Sequence, residues 1–225
     1  MTGKEQWSAV DAYLTDLVVQ PEPALGAALI ASTAAGLPSI AVSAPQGKLL
    51  MLLISIMQAR NVLEIGTLGG YSTIWMAQGL AKGGRLVTLE SNPAHAEVAR
   101  RNIAHAGLSD AVEVMVGPAL ETLPTLVEQK RGPFDLIFID ADKPSIPEYF
   151  DWSLKLARRG SVIVVDNVVR DGAVIDAESD DVNVQAVRRF HEMIAAEPRV
   201  SATTIQTVGS KGYDGFTLAV VLTAE

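Results

Sequence analysis

The sequence predicts a doubly wound α/β fold: a mostly parallel seven-stranded sheet that closes with an antiparallel C-terminal hairpin and is preceded by N-terminal helices. Three observations carry that expectation. Short runs of Val, Ile and Leu alternate with amphipathic stretches of helical length. The first five runs are almost continuously apolar, as parallel strands covered on both faces require. The last two are separated only by GSKGYDG (209–215), too short for a crossover helix, so they must run antiparallel.

The elements follow in order. Roughly the first 60 residues read as helices, an accessory region (1–60) ahead of a core (61–225) within one domain spanning 1–225. The expected strands are NVLEI (61–65), RLVTLE (85–90), VEVMVG (112–117), DLIFID (135–140), SVIVVD (161–166), ATTIQTV (202–208) and FTLAVVL (216–222). Helices are expected over 71–81, 93–106, 119–129, 146–157 and 182–196. Asn92 before Pro93 places a cap ahead of a proline at the first helical position. Gly107 and Gly160 stand where a helix end favours positive φ.

Bulk properties exclude several functions. The 225 residues are 48% hydrophobic and 20% charged, ordinary globular values, and mean hydropathy is +0.24. No cysteine is present, which removes disulfides, thiolate zinc sites and cysteine nucleophiles. The net charge of -8 and scattered basic residues argue against nucleic acid as a partner. The N-terminus carries charge too early for a signal peptide, and no apolar run approaches the ~18 residues a bilayer span needs. A soluble, cytoplasmic protein is expected, with no membrane partner.

The clearest motif is VLEIGTLGGYST (62–73), a strand running through glycines into a helix. Gly66, Gly69 and Gly70 let the backbone turn tightly and approach a ligand, and the amides opening the helix at Tyr71 and Ser72 can bind a carboxylate or phosphate. Glu64 at the strand end would repel phosphate but favour an ammonium or sulfonium. Glu90 ends the next strand, where it can accept from both ribose hydroxyls. Gly117–Ala119 follow the third strand as a tight turn able to border an adenine. A ligand with an amino-acid end, a ribose and an adenine suits all three turns, and S-adenosylmethionine has those parts. An NAD-dependent oxidoreductase is the alternative, disfavoured by Glu64 and by glycine spacing that departs from Gly-x-Gly-x-x-Gly.

The strand LIFID ends in Asp140, and SVIVVD ends in Asp166 followed by Asn167. In doubly wound order these strands are neighbours, and ligands sit beyond their carboxyl ends. An all-oxygen set of this kind suits Mg²⁺, Mn²⁺ or Ca²⁺ rather than structural zinc. Each aspartate alone is more simply a turn former. Together they repel unless a cation lies between them, and Lys143 is the competing source of that charge. Arg170, near the same rim, is a candidate contact for an anionic substrate.

SAPQGKLLMLL, ARNVLEIGTLGGYST, VGPAL, FDLIFIDADK, YFDW and VVDNVVRDGAV together resemble the cation-dependent O-methyltransferases, which include caffeoyl-CoA and catechol enzymes. The resemblance covers nearly the whole chain and implies a class I methyltransferase core of Rossmann-like topology. It implies a divalent cation, Mg²⁺ foremost, on Asp140, Asp166 and Asn167. It also implies S-adenosylmethionine contacts at Glu64, Gly66, Gly70, Ser72, Glu90, Ala119 and Asp140, with Ile40 and Val42 lining the entry. Lys143 matches the catalytic base of the catechol enzymes, and Asp142 matches a residue near the substrate.

The implied reaction is methyl transfer to one oxygen of a vicinal diphenol, with a homodimer as the commonest assembly among relatives. PQG (45–47), Val42 and Val168–Arg170 depart from the plant pattern, so caffeoyl-CoA is not implied as the acceptor. A non-catalytic, cofactor-binding regulatory module is the alternative from another functional class.

Overall fold

The computed structural model describes residues 3–223. Seven strands, β1 (Asn61–Ile65), β2 (Arg85–Glu90), β3 (Val112–Val116), β4 (Phe134–Ile139), β5 (Ala157–Asp166), β6 (Val200–Gly209) and β7 (Gly212–Val221), form one sheet in the order β3-β2-β1-β4-β5-β7-β6. The helices are α1 (Gly3–Leu14), α2 (Pro23–Ala34), α3 (Ala44–Met57), α4 (Tyr71–Gln78), α5 (Pro93–His105), α6 (Ala119–Glu128), α7 (Ile146–Leu156) and α8 (Val182–Ala196). Among the described residues, no helix is long and apolar enough to cross a membrane. The chain groups into two compact units: the described residues through Ala119 with Gly209–Lys211, and the described remainder of Leu120–Val208 and Gly212–Glu225.

In the first unit, β1 and β2 run parallel with Leu63 opposite Val87 and Glu64 opposite Thr88. β2 and β3 are likewise parallel, pairing Glu90 with Val116. Local signals set the helices. Ser43 caps α3 by accepting from the Gln46 amide, and Asn92 caps α5 by accepting from the Ala94 amide at 2.9 Å. Gly107, at φ 72, follows the end of α5 as its sequence position suggests. Trp75 of α4 is buried against α3 at Gly47, where an added Cβ would lie 2.2 Å from the indole. The β6–β7 hairpin tip belongs to this unit as well: the Ser210 amide donates to Asp11 of α1 at 2.7 Å.

In the second unit, β4 and β5 are parallel, with Ile139 opposite Val165. β5 and β7 are antiparallel, with Val164 opposite Leu218 and Asp166 opposite Phe216. Apolar runs cover both faces: Phe134, Leu136–Ile139 and Ser161–Asp166 are all buried. Phe150 of α7 meets Phe190 of α8 edge to face at 5.5 Å, fixing the two helices together.

β5 begins four residues earlier than its apolar run. Phe134 pairs with Ala157 and Leu136 with Val162, so the single residue Asp135 of β4 faces a bulged stretch of four, Arg158 to Ser161. Gly160 has the expected positive φ, 86, but turns this bulge; α7 has already ended at Leu156. Ser161 holds the bulge, donating to the Phe134 carbonyl at 2.6 Å and accepting from the Arg158 amide at 2.9 Å.

Candidate active site

The first unit supplies the glycine turn. Gly66 (φ 100) and Gly70 (φ 83) adopt backbone that side chains resist, and Leu68 between them is also left-handed at φ 51. Gly69 is required for space: a Cβ would come 2.1 Å from Ser32 Oγ. Asn102 of α5, buried, donates to the Gly69 carbonyl at 2.8 Å and so braces the turn from behind. These partners lie far apart in sequence, and nothing local identified Asn102 or Ser32.

Glu64 is fully buried at the end of β1. Its carboxyl accepts from Ser72 (2.5 Å), Thr73 (2.5 Å) and Thr88 (2.7 Å). Thr88 spends its one proton on Glu64, so at its 2.6 Å contact with Thr67 it is Thr67 that donates. A carboxyl held by three hydroxyls is tolerable in an apolar sheet, where an unsatisfied one is not. The network ties the start of α4 to the strand before it, with Ser72 among the tied groups.

Glu90 is also buried, and both of its oxygens are in use. Oε2 accepts from the Leu68 amide at 2.8 Å and Oε1 from the Asn92 amide at 2.9 Å, with His95 Nδ1 at 3.7 Å. Two oxygens offer about four acceptor directions, so capacity for a diol remains. Val42 is buried and Ile40 is 68% exposed on the segment entering α3. Lys211 of the hairpin tip donates to the Ser39 carbonyl at 3.3 Å, and partial burial lowers its pKa. Ala119 opens α6.

The second unit supplies the acidic rim. Asp140 directly follows β4, Asp166 ends β5, and the last β4–β5 pair before them is Ile139 with Val165. Lys143 Nζ lies 3.0 Å from Asp140 Oδ1, with both side chains largely shielded. Asp142 faces differently: its Oδ1 accepts from the Tyr149 hydroxyl of α7 at 2.5 Å. Burial, and then the Asp142 carboxylate, push the Tyr149 phenol pKa far up, so it remains a donor at ordinary pH. Asp166 is buried and accepts from the Asn167 amide at 2.9 Å. Asn167 is left-handed at φ 59.

Among the described residues, no group of three or more His, Cys, Asp or Glu side chains is placed to hold a metal ion. The expected set differs from such a group because its third donor is the amide oxygen of Asn167. Its chemistry fits a hard divalent ion: oxygen donors alone, two carboxylates, and one countercharge already drawn to Asp140.

The loop after Asn167 is where sequence reading fell short. Arg170 (φ 58), Asp171 (φ 55) and Gly172 (φ 84) follow Asn167 in left-handed backbone. Asp214 of β7 gathers this loop. Its Oδ1 accepts from the amides of Val169 (2.9 Å), Arg170 (3.0 Å) and Gly215 (2.9 Å). Its Oδ2 lies 3.9 Å from Arg170 Nη1, and the buried Arg170 Nε has no hydrogen-bond partner. In the sequence Asp214 stands out only as part of GSKGYDG, the short connection between the last two strands.

Comparison with known proteins gives a consistent answer. The O-methyltransferase family model matches residues 21–221. A catechol O-methyltransferase of Mycobacterium tuberculosis is 60% identical over 212 residues, 94% of each chain. The crystal structure of an O-methyltransferase from Bacillus cereus, in complex with SAH, has 58% identity and a TM-score of 0.96, covering 97% of this chain and 99% of that one. The O-methyltransferase TomG from Streptomyces achromogenes, involved in tomaymycin synthesis and crystallised with SAM, gives 55% identity and a TM-score of 0.95 over 99% of this chain and 100% of that one. This chain belongs to the O-methyltransferase family.

Proposed function

We propose that the protein transfers a methyl group from S-adenosylmethionine (SAM) to one oxygen of a catechol-type vicinal diol, with a divalent cation, Mg²⁺ foremost, bound by Asp140, Asp166 and Asn167. The observation that carries this reading is the rim itself: two strand-ending carboxylates and an amide, with Lys143 hydrogen-bonded to the first of them at 3.0 Å. The catechol activity of a 60% identical relative and the SAM and SAH bound by close structural relatives support the acceptor and the donor.

In this reading the glycine turn and Glu90 hold the cofactor, with Glu90 accepting from the ribose and the amides of Tyr71 and Ser72 facing its carboxylate. Gly66, Gly70, Ala119 and Val42 border it, and Ile40 lies at the entry. When bound, the cation favours the ionised form of a chelated hydroxyl. Lys143, in its neutral form, would take the departing proton at Nζ, and Asp142, fixed by Tyr149, faces the acceptor. The acceptor oxygen then forms its bond to the methyl carbon as the carbon–sulfur bond breaks. Arg170 meets the remainder of the acceptor. Alignment of the two reactants supplies much of the rate, on the order of 7–11 kcal/mol in well-oriented cases.

The same reading treats the chain as one cytoplasmic catalytic domain. A second copy is its proposed partner, through the exposed apolar side chains of Leu29, Ile30, Leu52 and Ile56 on α2 and α3. The deciding experiment is methyl-labelled SAM with a panel of catechols, with and without EDTA. Label on one ring oxygen, abolished by chelator and restored by Mg²⁺, is expected. Transfer indifferent to EDTA rejects the cation, and no transfer to any vicinal diol rejects the acceptor class.

A further inference from the structure

We infer that Asp214 is a positioning residue for methyl transfer, setting Asn167 by holding the loop that follows it. The inference rests on the proposed cation site. Four of the six residues from Asn167 to Gly172 are left-handed, and three of those four are not glycine. Such backbone persists only where the surroundings over-determine it. Within that stretch the Val169 and Arg170 amides point at one acceptor, Asp214 Oδ1, which also takes the Gly215 amide.

Convergence of three N–H groups on one carboxylate oxygen is a charge-assisted anchor, stronger than the same bonds to a neutral acceptor. The Val168 amide adds a third link to the same segment, donating to the Gly215 carbonyl at 3.1 Å. The loop is thereby fastened to the start of β7 at three successive residues, 168 to 170, immediately beyond Asn167. A second fastening comes from Gly215 of β7, where a Cβ would lie 2.6 Å from Val169 Cγ2, so the loop packs closely on the strand at this point.

Asp214 touches none of the proposed reacting groups. It acts through the backbone: released, the left-handed residues Asn167, Arg170 and Asp171 relax toward right-handed or extended conformations and carry the Asn167 amide oxygen with them. The consequence is weaker cation binding and slower turnover, with the glycine turn and Glu90 unaffected.

The test uses the full chain with Asp214→Ala and Asp214→Asn, and with Asp171→Asn as a charge control. Asp171 is exposed on the same loop. Calorimetric titration with Mn²⁺, S-adenosylhomocysteine titration, thermal melting and kcat are read for each. Asp214→Ala is expected to weaken Mn²⁺ binding about tenfold or more, the range seen when a group orienting a metal ligand is lost. S-adenosylhomocysteine affinity stays within about twofold. Asp214→Asn, which keeps the acceptor oxygen without its charge, falls between wild type and alanine, and Asp171→Asn leaves Mn²⁺ affinity within about twofold.

If Asp214→Ala does not fold, Asp214→Asn decides the matter alone, by weakened or unchanged Mn²⁺ binding. Unchanged Mn²⁺ affinity in the folded Asp214 variants, or an equal loss in Asp171→Asn, overturns the inference. Wild-type protein that binds no Mn²⁺ overturns the cation reading instead, a result distinguishable from the first two.

Discussion

Lys143 directs its Nζ to within 3.0 Å of Asp140 Oδ1, three residues before it on the same strand-to-helix connection. The pair sets a proposed base and a proposed cation ligand in direct competition. Methionine at 143 keeps the length and removes the amine. Turnover with a catechol should fall about 10²–10⁴-fold, the span that general bases contribute. Mn²⁺ affinity measured by calorimetry should hold or tighten, because Asp140 loses its internal partner. A matching loss of cation affinity would recast Lys143 as a structural countercharge.

The Tyr149 hydroxyl orients Asp142. Tyr149→Phe deletes that bond while preserving the ring, and should lower stability by about 0.5–1.5 kcal/mol. If Asp142 faces the acceptor, KM for the catechol rises more than the KM for SAM. Equal changes in both would place Tyr149 in packing alone.

His191 on α8 is half-buried between Phe190 and Thr204 Oγ1, and burial lowers its pKa from the usual 6.5. The unfolded chain therefore takes up this proton before the folded one does. The stabilisation is fully present above the unfolded value, is lost as pH falls through about 6.5, and levels off below the depressed folded value. His191→Gln should show a smaller drop in melting temperature than wild type between about pH 8 and about pH 5. An identical drop in both would remove His191 from the acid sensitivity.

Gly47 faces the Trp75 indole with no room for a methyl group. Gly47→Ala must displace a buried ring that has little space to move, at a cost of about 1–3 kcal/mol despite alanine's better helix propensity. A chain of this length loses about 2–4 °C of melting temperature per kcal/mol. An unchanged or raised melting temperature would show that the ring repacks freely.

Much of this molecule is written in short-range pattern. β1 and β2 end where their apolar runs end, and Asn92 with Pro93 opens α5 as local capping chemistry requires. The carboxylates of the rim are visible because Asp140 and the Asp166–Asn167 pair stand where two apolar runs expected to be neighbours come to an end. What stayed hidden depends on partners that sequence distance conceals. Asp214 meets the Val169 and Arg170 amides 45 and 44 residues away. Asn102 of α5 reaches Gly69 in the glycine turn, 33 residues away. Gly160 was legible as a positive-φ residue, yet its place in a bulge follows from β5 pairing with Phe134. Local rules specify which backbone a residue wants, and only the closed sheet specifies what it is for.

The family match starts at residue 21, yet Asp11 lies ahead of it and clasps the hairpin tip at Ser210. Gly209 has the same dependence, since a Cβ there would strike the Asp11 carboxylate at 2.5 Å. A version of the protein trimmed to the shared core would therefore leave the Ser210 amide without its acceptor and free the hairpin turn whose Lys211 reaches the Ser39 carbonyl. The opening helix is a clasp on the far end of the chain, and shortening it is a perturbation of the last two strands.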